Sequence, residues 1–272
     1  MIKDTEKTSS YDNLDAMSTE EILNGINAED LSVPVAVKKS IPQISALVDR
    51  IVERMKRGGR VFYIGAGTSG RLGVTDAAEI PPTYGVYDKF IGVIAGGDSA
   101  FRNAVEGAED NPEQGWKDIL RYHPVPEDTL IGISASGGAP YVVGALKSAR
   151  KAGLLTASIS CNTDSPAAEV SDVPIISVVG PEFVTGSTRM KSGTAAKLTL
   201  NMISTAVMIR LGHVKGNKMV DMQLTNVKLV DRGTRMIMEE TGMKDYDAAK
   251  SLLLQYGTVR AAVDSYTRIN GQ

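Results

Sequence analysis

A turn rich in glycine and hydroxyl side chains, Gly65 to Gly70, carries the clearest sign of chemistry in this sequence. An apolar run, Val61 to Ile64, precedes the turn and predicts a buried strand, and a stretch with helical spacing follows it. The start of a helix offers unpaired N–H groups and the positive end of a dipole, and glycine lets the backbone approach a phosphate closely. We therefore interpret the turn as a phosphate-binding loop in which Gly67, Thr68 and Ser69 contact the ligand.

The same turn matches the pattern G-x-G-x-x-G, so a dinucleotide site is an alternative interpretation. A dinucleotide site needs an acidic residue at the end of the next strand, about 20 residues further on, to hold a ribose. Here the next predicted strand runs into Gly96-Gly97-Asp98, about 30 residues beyond the loop. Taken alone, the loop leaves a dinucleotide site and a purely structural turn open, although its two hydroxyls suit a phosphate monoester better than a pyrophosphate.

Alternating strands and helices must position this loop. The sequence predicts strands at Val61 to Ile64, Phe90 to Ile94, Thr129 to Ile133, Leu155 to Ser160 and Val173 to Val178. Helical patterns lie between them at 69–80, 99–109, 140–152 and, more weakly, 164–168. Apolar strands separated by helices indicate an α/β fold with a parallel sheet in three layers, whose ligands bind beyond the carboxyl ends of the strands.

Two further loops follow predicted strands. Ser134 to Gly138 ends the third strand, and a second hydroxyl-bearing turn at the same edge of a parallel sheet favours a phosphosugar ligand, although one such turn alone is usually only a turn. The loop from Gly180 to Thr194 precedes a long predicted helix, and its hydroxyls and cations either line the same site or cap that helix. Besides the first loop, we expect these substrate-binding residues: Ser134, Ser136, Gly137, Glu182, Ser187 and Lys191.

Composition excludes several classes of protein. The 272 residues carry a formal net charge of −2 and no basic run longer than two, so nothing indicates a nucleic-acid partner. The one cysteine, Cys161, excludes an intrachain disulfide, fits a reducing compartment and is more typical of a small strand-end residue than of a nucleophile. No stretch has membrane length or a signal-peptide core, so we expect a soluble, cytoplasmic protein without a membrane partner. His123 and His213 lack acidic partners at ligand spacing, so we expect no metal.

The predicted domain order is a tail with helices over 1–45, a sheet domain over 46–215 and a small helical domain over 216–272. Residues 1–15 have no periodicity, and we expect them to be mobile or draped over a partner. Ser18 and Glu21 have the spacing of a capping box, and Pro42 is expected to break a long helical stretch that begins near Ser32. Past Gly212, three helices with a small core are predicted.

The segments GAGTSGR, SASG and VTGSTRMKSGTAAK, in this order, resemble the sugar isomerase (SIS) domain, a flavodoxin-like fold also found in glucokinase regulatory protein. DAAEIPPTYG, IAGG and AVEGAED resemble one family within it, the N-acetylmuramic acid 6-phosphate etherases, and TGMKDYDAAK resembles that family's UBA-like helical domain. The resemblance covers nearly the whole chain. It implies a bacterial, cytoplasmic homodimer that removes D-lactate from N-acetylmuramate 6-phosphate, leaving N-acetylglucosamine 6-phosphate in amino-sugar recycling, with no cofactor and no metal.

By the same resemblance, the family's two catalytic acids fall on Glu79 and Glu109. Glu79, at the predicted carboxyl end of a helix, is assigned as the acid that protonates departing lactate. Glu109, expected at the end of the helix after the second strand, is assigned to the C2 base or the water-addition step, with Glu106 as its chief competitor. One departure stands out: the family follows SASG with arginine and threonine, whereas this chain has Gly138-Ala139, so a contact made by those side chains is missing.

Helix geometry suggests a site shared between subunits. About ten residues of helix separate Ser69 from Glu79, or roughly 15 Å, so we expect Glu79 of one subunit to serve the phosphate held by the other. Two other functions stay open at this stage. An aldose–ketose isomerase would use the same loops with a base such as Glu182, and a non-catalytic phosphosugar sensor would bind without turnover. The paired Glu79 and Glu109 motifs favour elimination, because an isomerase needs no second acid.

Overall fold

The structure, a computed structural model, describes residues 3–270 of the chain, which form two compact units. The larger unit comprises the described residues up to Ala78 together with Lys89–Val207. The smaller unit comprises Glu79–Asp88 together with the described residues from Met208 onward. The domain boundaries expected after residues 45 and 215 stay a prediction.

Helices and strands alternate through most of the chain. The α-helices are α1 (Thr19–Asp30), α2 (Ser32–Lys38), α3 (Ile41–Lys56), α4 (Gly67–Ala78), α5 (Ile80–Tyr84), α6 (Ser99–Arg102), α7 (Gln114–Leu120), α8 (Pro140–Lys151), α9 (Pro166–Val170), α10 (Lys191–Arg210), α11 (Val227–Thr241), α12 (Tyr246–Tyr256) and α13 (Val259–Asn270). The strands are β1 (Val61–Gly65), β2 (Phe90–Ile94), β3 (Thr129–Ile133), β4 (Leu155–Ser160), β5 (Val173–Ile176), β6 (Val214–Lys215) and β7 (Lys218–Met219). Two 3₁₀-helices lie at Asp4–Glu6 and Leu14–Ala16.

A five-stranded parallel sheet forms the centre of the larger unit, in the order β2-β1-β3-β4-β5. Every residue of β1, β3 and β4 is buried, as expected for strands covered on both faces. Right-handed crossovers leave β1 and β3 in opposite directions, which places α4 and α8 on opposite faces. Tyr63 accordingly packs against Gly73 of α4, while Phe62 and Ile64 belong to the core cluster that contains α8. The predicted three-layer, flavodoxin-like sheet is confirmed.

All five predicted strands are present, but the helix expected over 99–109 is wrong. It ends after one turn at Arg102, because Asn103 is extended and Gly107 has a φ of 69°, which a right-handed helix does not allow. The short α6 buries only Ala100, so no apolar stripe holds a longer helix against the sheet. Glu109 therefore lies in a turn and not at a helix end.

Three prolines lie in the first turns of helices, where their missing N–H costs nothing. Pro42 is the second residue of α3 and separates it from α2, which confirms the predicted break. Pro81 and Pro82 lie in the first turn of α5, which begins two residues beyond the end of α4. Glu79 thus stands between the carboxyl end of one helix and the amino end of the next. The expectation that only a negative dipole end acts on Glu79 is wrong for this reason.

The capping box predicted at the start of α1 is confirmed, with the Ser18 and Glu21 side chains each bonded to the other's backbone N–H. The segment before it is more ordered than its sequence suggests. The backbone N–H of Thr5 donates to Oδ1 of Asn162 at 3.0 Å, and the Ser9 hydroxyl donates to the carbonyl of Phe183 at 2.7 Å. The segment over residues 3–9 is therefore bound to its own chain, not draped over a partner.

The smaller unit has a core of its own, built from eight buried apolar side chains: Val220, Met222, Ile237, Ala249, Leu253, Val259, Ala262 and Val263. Asp221 ties its segments together by accepting hydrogen bonds from Arg260 at 2.7 and 2.8 Å and contacting His213 at 3.0 Å. Burial opposes the ionisation of Asp221, but the bonds from Arg260 and His213 outweigh it and lower its pKa. The hairpin of β6 and β7 was not predicted from the sequence.

Across residues 3–270, the helices are too short or too polar for any of them to cross a lipid bilayer.

One buried ion pair joins the amino ends of β1 and β3. Asp128, which is fully buried, accepts from Arg60 Nη2 at 2.7 Å and from the backbone N–H groups of Arg60 and Val125 at 2.7 and 2.9 Å. Removal of the carboxylate leaves three donors without their acceptor. We expect Asp128→Ala to lower the free energy of unfolding by about 3 to 5 kcal/mol in urea titrations.

Asp128→Asn, which keeps the shape and one acceptor oxygen, should fall between Asp128→Ala and the parent chain. Lys117→Ala is the control, because the Lys117–Glu113 pair is exposed on both sides and such pairs contribute little. Equal stability of Asp128→Ala and Lys117→Ala would contradict the assignment.

Candidate functional site

A pocket of about 280 Å³ lies at the carboxyl ends of β1, β3 and β4, in the larger unit. Its lining includes five of the residues expected to bind substrate: Gly67, Thr68, Ser69, Ser134 and Ser136. The chain leaves β1 toward one edge of the sheet and leaves β3 toward the other, so the loops after these strands diverge and open a crevice. Two turns that are about 65 residues apart in sequence thereby form opposite walls of one site.

Three glycines shape the first wall. A Cβ on Gly65 would lie 2.7 Å from the backbone N of Gly70, and a Cβ on Gly70 would lie 2.6 Å from the carbonyl O of Gly65. Gly67 has a φ of 51°, which side chains rarely tolerate. The end of β1 and the start of α4 therefore touch through their backbones. Thr68 and Ser69 lie in the first turn of α4, where backbone N–H groups have no intrahelical acceptor and can bind an anion.

The second wall is a tight turn after β3. The N–H of Gly137 donates to the carbonyl of Ser134 at 2.9 Å, and the N–H of Gly138 donates to the hydroxyl of Ser136 at 3.2 Å. Gly137 has a φ of 69°, and a Cβ there would lie 2.1 Å from Oγ of Ser165. Gly137 thus shapes the turn from outside the pocket lining, and its direct contact with substrate stays a prediction.

Several lining residues were missed by the sequence analysis, and they come from the end of β4, the start of α10 and the amino-terminal segment: Glu6, Ser160, Cys161, Thr188, Ser192 and Gly193. The hydroxyl of Ser160 is buried and has no hydrogen-bond partner among the described residues, so it can bond to a ligand in the pocket. Its position was accessible to sequence reasoning, because it ends a predicted strand at the edge where ligands bind.

Glu182 and Lys191 are outside this lining, and each has a structural partner. The Glu182 carboxylate accepts from the N–H groups of Lys191 and Ser192 at 2.8 and 2.9 Å and from the Ser192 hydroxyl at 2.7 Å, which caps α10. The ammonium of Lys191 is buried and pairs with the carboxylate of Glu29. Ser187 is also outside the lining. Substrate contacts by these residues stay predictions, and Glu182 positions Ser192, which does line the pocket.

Glu109 is the predicted catalytic acid that lines the pocket. Its carbonyl accepts from the N–H of Tyr141 at 2.9 Å, which ties the turn to the start of α8. Glu109 also lines an adjoining pocket of about 180 Å³, which shares Ala66 and Gly67 with the first. Glu106 lines only this second pocket. The structure thus separates the two competing carboxylates by position, while the catalytic role of Glu109 stays a prediction.

Known proteins resemble this chain over nearly its full length. N-acetylmuramic acid 6-phosphate etherase from Bacteroides thetaiotaomicron is 59% identical over 270 residues, which cover 99% of this chain and 97% of that protein. The etherase from Porphyromonas gingivalis is 59% identical over 264 residues, covering 97% and 96%. The chain belongs to the N-acetylmuramic acid 6-phosphate etherase family. The family profile described as "Glucokinase regulatory protein N-terminal SIS domain" also matches residues 43–150.

Solved structures agree on the fold of this etherase-family chain. A sugar-phosphate-family neighbour from Escherichia coli has a TM-score of 0.53 and 19% identity, covering 76% of this chain and 97% of that one. Phosphoheptose isomerase from Neisseria gonorrhoeae has a TM-score of 0.51 and 18% identity, covering 70% and 98%. At these identities the likeness shows a shared SIS fold.

The other predicted acid of the etherase-family motif, Glu79, lies in the smaller unit. Its side chain is exposed, and it immediately follows the last residue of α4. Its catalytic role stays a prediction. No group of three or more histidine, cysteine, aspartate or glutamate side chains in the described part of the chain could hold a metal ion.

Cys161 lines the pocket but is buried among groups that do not activate it. Burial raises the pKa of its thiol to about 12, although a contact with the Ser192 carbonyl works in the opposite direction. At pH 8 the folded protein therefore carries almost no thiolate. We expect iodoacetamide to alkylate Cys161 in the native protein roughly a thousandfold more slowly than a free cysteine thiol, whose pKa is about 8.5.

Mass spectrometry of the alkylated protein at timed intervals gives this rate, and the same chain unfolded in guanidinium is the matched control. Equal rates in the native and unfolded chains would contradict the assignment of an inert, buried thiol.

Proposed function

We propose that this protein cleaves the lactyl ether of N-acetylmuramic acid 6-phosphate, releasing D-lactate and leaving N-acetylglucosamine 6-phosphate. It would act as a carbon–oxygen lyase in bacterial, cytoplasmic amino-sugar recycling. The observation that carries the proposal is 59% identity over 99% of the chain to an etherase, in a chain whose pocket joins two hydroxyl-bearing loops to Glu109. The single, unpaired cysteine fits a reducing compartment.

The phosphate end of the substrate would occupy the first wall. The amino end of α4 supplies N–H groups and a positive dipole end, and Thr68 and Ser69 supply hydroxyl donors. Ser134 and Ser136 add hydroxyls from the facing turn. A monoester bound by donors on two sides is fixed in orientation, so the sugar extends toward the remaining lining, where Glu109 lies.

The chemistry follows from the position of the ether at C3 of the sugar. Ring opening makes C1 an aldehyde, which acidifies the hydrogen on C2. A base removes this proton, the electron pair forms the C2–C3 double bond, and the C3–O bond breaks as lactate leaves with a proton from an acid. Water then adds its hydroxyl to C3 and returns a proton to C2. The sequence of steps consumes one water and needs no oxidant or reductant.

Glu109 is the proposed base at C2 and the residue that directs water addition, because it lies in the pocket with the phosphate loops. Glu79 is the proposed acid at the ether oxygen, an assignment supported by its place in the family motif. A proton transfer by a positioned side chain is typically worth about 10² to 10⁴-fold in rate. Two carboxyls suffice for the three transfers if one serves in both half-reactions.

A homodimer with a shared site would reconcile Glu79 with the phosphate loop. Eleven residues of the chain, Ser69 to Glu79, include most of α4, and roughly 1.5 Å of rise per residue separates their backbones by about 15 Å. A second subunit that contributes its own Glu79 removes this separation. The proposed partner is therefore a second copy of this chain.

Incubation of the pure protein with N-acetylmuramic acid 6-phosphate should release lactate, measured by an enzyme-coupled assay. Glu109→Gln should lower kcat by about 10² to 10⁴-fold, because it removes a proton-transfer group. Glu106→Gln is the matched control, since it alters the neighbouring carboxylate that lines only the second pocket. Absence of lactate with the parent protein would overturn the proposed reaction, and an isomerised sugar or binding without turnover would identify its replacement.

Exchange of the C2 proton in deuterated water separates the roles of the two acids. Glu79→Gln should still exchange this proton while releasing no lactate, because the base remains and the acid is gone. Glu109→Gln should lose both. Loss of exchange in Glu79→Gln would show that the two roles are assigned the wrong way round.

Mixing two inactive variants tests the shared site. Heterodimers of Glu79→Gln and Ser69→Ala subunits contain one site with both native residues if Glu79 crosses between subunits, so part of the activity should return. Verified heterodimers that stay inactive would contradict sharing.

A further inference from the structure

The amino-terminal segment over residues 3–9, here called the strap, contributes to the wall of the first pocket. Glu6, in the 3₁₀-helix at Asp4–Glu6, lines this pocket together with the phosphate loops and Glu109. The sequence analysis assigned no role to this segment. Its contacts show that its position is well defined and specific to the site.

One end of the strap is held by Asn162, whose side-chain amide is fully used. Its Oδ1 accepts from the N–H of Thr5 at 3.0 Å, and its Nδ2 donates to the hydroxyl of Thr5 at 3.0 Å and to the carbonyl of Ala135 at 3.1 Å. Thr5 is fully buried and Asn162 nearly so. Because Ala135 belongs to the turn that carries Ser134 and Ser136, the strap is bonded through one residue to the second wall.

The other end of the strap is bonded to the loop that leads into α10. The N–H of Ser9 donates to the Thr185 hydroxyl at 2.9 Å, and the Ser9 hydroxyl donates to the Phe183 carbonyl at 2.7 Å. This loop continues into Thr188 and Ser192, which line the pocket. The strap therefore bridges two parts of the pocket wall, with Glu6 between its two attachments.

Oε2 of Glu6 lies 3.5 Å from the place where a Cβ on Gly186 would be, so it is close to the same loop. A carboxylate only accepts hydrogen bonds, and it repels a phosphate dianion. Beside a phosphate site, its useful partners are the hydroxyl and amide donors of the sugar. The acidic residues in the lining are Glu6 and Glu109, and no lysine or arginine of the described chain is among them.

Lys3 places a cation on the rim of the second wall. Its Nζ lies 2.6 Å from the position that a Cβ on Gly138 would take, next to the Ser136 turn. The absence of a side chain at residue 138 is what leaves room for this ammonium. The strap thus presents a positive group near one phosphate-binding turn and a negative group further along the pocket.

We propose that the strap is a specificity element of the phosphosugar site, in which the Glu6 carboxylate accepts hydrogen bonds from the sugar and so favours sugar phosphates over inorganic phosphate. The inference rests on the proposed function, because it assumes that the first pocket binds a phosphosugar. It adds Glu6 as a substrate-binding residue and Thr5 and Asn162 as the residues that position it.

Calorimetric titration of the full chain with N-acetylglucosamine 6-phosphate and with inorganic phosphate tests the proposal without turnover. Glu6→Gln should bind the sugar phosphate roughly ten- to a hundredfold more weakly, the loss expected for hydrogen bonds to a charged group. The same variant should bind inorganic phosphate as well as the parent protein or more tightly, because a repulsive charge is removed. Lys3→Gln should weaken the binding of both ligands.

Lys7→Gln is the matched control, because its ammonium pairs with Asp4 on the same segment, is more than half exposed and is absent from the pocket lining. It should bind both ligands like the parent protein. Unchanged binding of the sugar phosphate by Glu6→Gln, or equal loss of both ligands, would overturn the role of Glu6. A parent protein that binds neither ligand would instead contradict the proposed function. Thermal melting of each variant should give the midpoint of the parent chain, since Glu6 is exposed.

Discussion

The direct backbone contact between the end of β1 and the start of α4 is the constraint on which the site depends. It requires residues without side chains at Gly65 and Gly70, because the two backbones approach to within van der Waals distance there. The contact places the first turn of α4, with Thr68 and Ser69, at the edge of the sheet where β3 also ends. The parallel order then brings the Ser134 turn opposite, so that one pocket receives donors from both walls.

Buried charges hold the elements around this pocket at both edges of the sheet. Asp128 and Arg60 join the amino ends of β1 and β3, and thereby fix the register of the strands whose opposite ends carry the loops. On the pocket side, the carboxylate of Glu182 caps α10 and keeps Ser192 in place. These charges act on structure, while the charges that face the pocket, on Glu6 and Glu109, remain available to a ligand.

Hydrogen bonds also explain how a polar amino-terminal segment becomes part of a site. The position of the strap follows from its paired hydrogen bonds to Asn162 and from the bonds of Ser9. Such contacts have no periodicity that a sequence pattern would display. A segment with no hydrophobic stripe can still be well positioned if both its ends are bonded to the walls of one pocket.

The sequence by itself determined the local structure whose cause is local: five apolar strands, the glycine turn after β1, the capping box of α1 and the proline at the start of α3. Motif resemblance added the family, which the full-length relatives bear out. Only the tertiary structure decided which side chains meet. It placed Glu109 in a turn, because Gly107 ends any helix there, and it gave Glu182 and Lys191 partners at Ser192 and Glu29. It also brought Glu6, Ser160 and Ser192 to one pocket, because hydrogen bonds between residues more than a hundred positions apart leave no trace in local spacing.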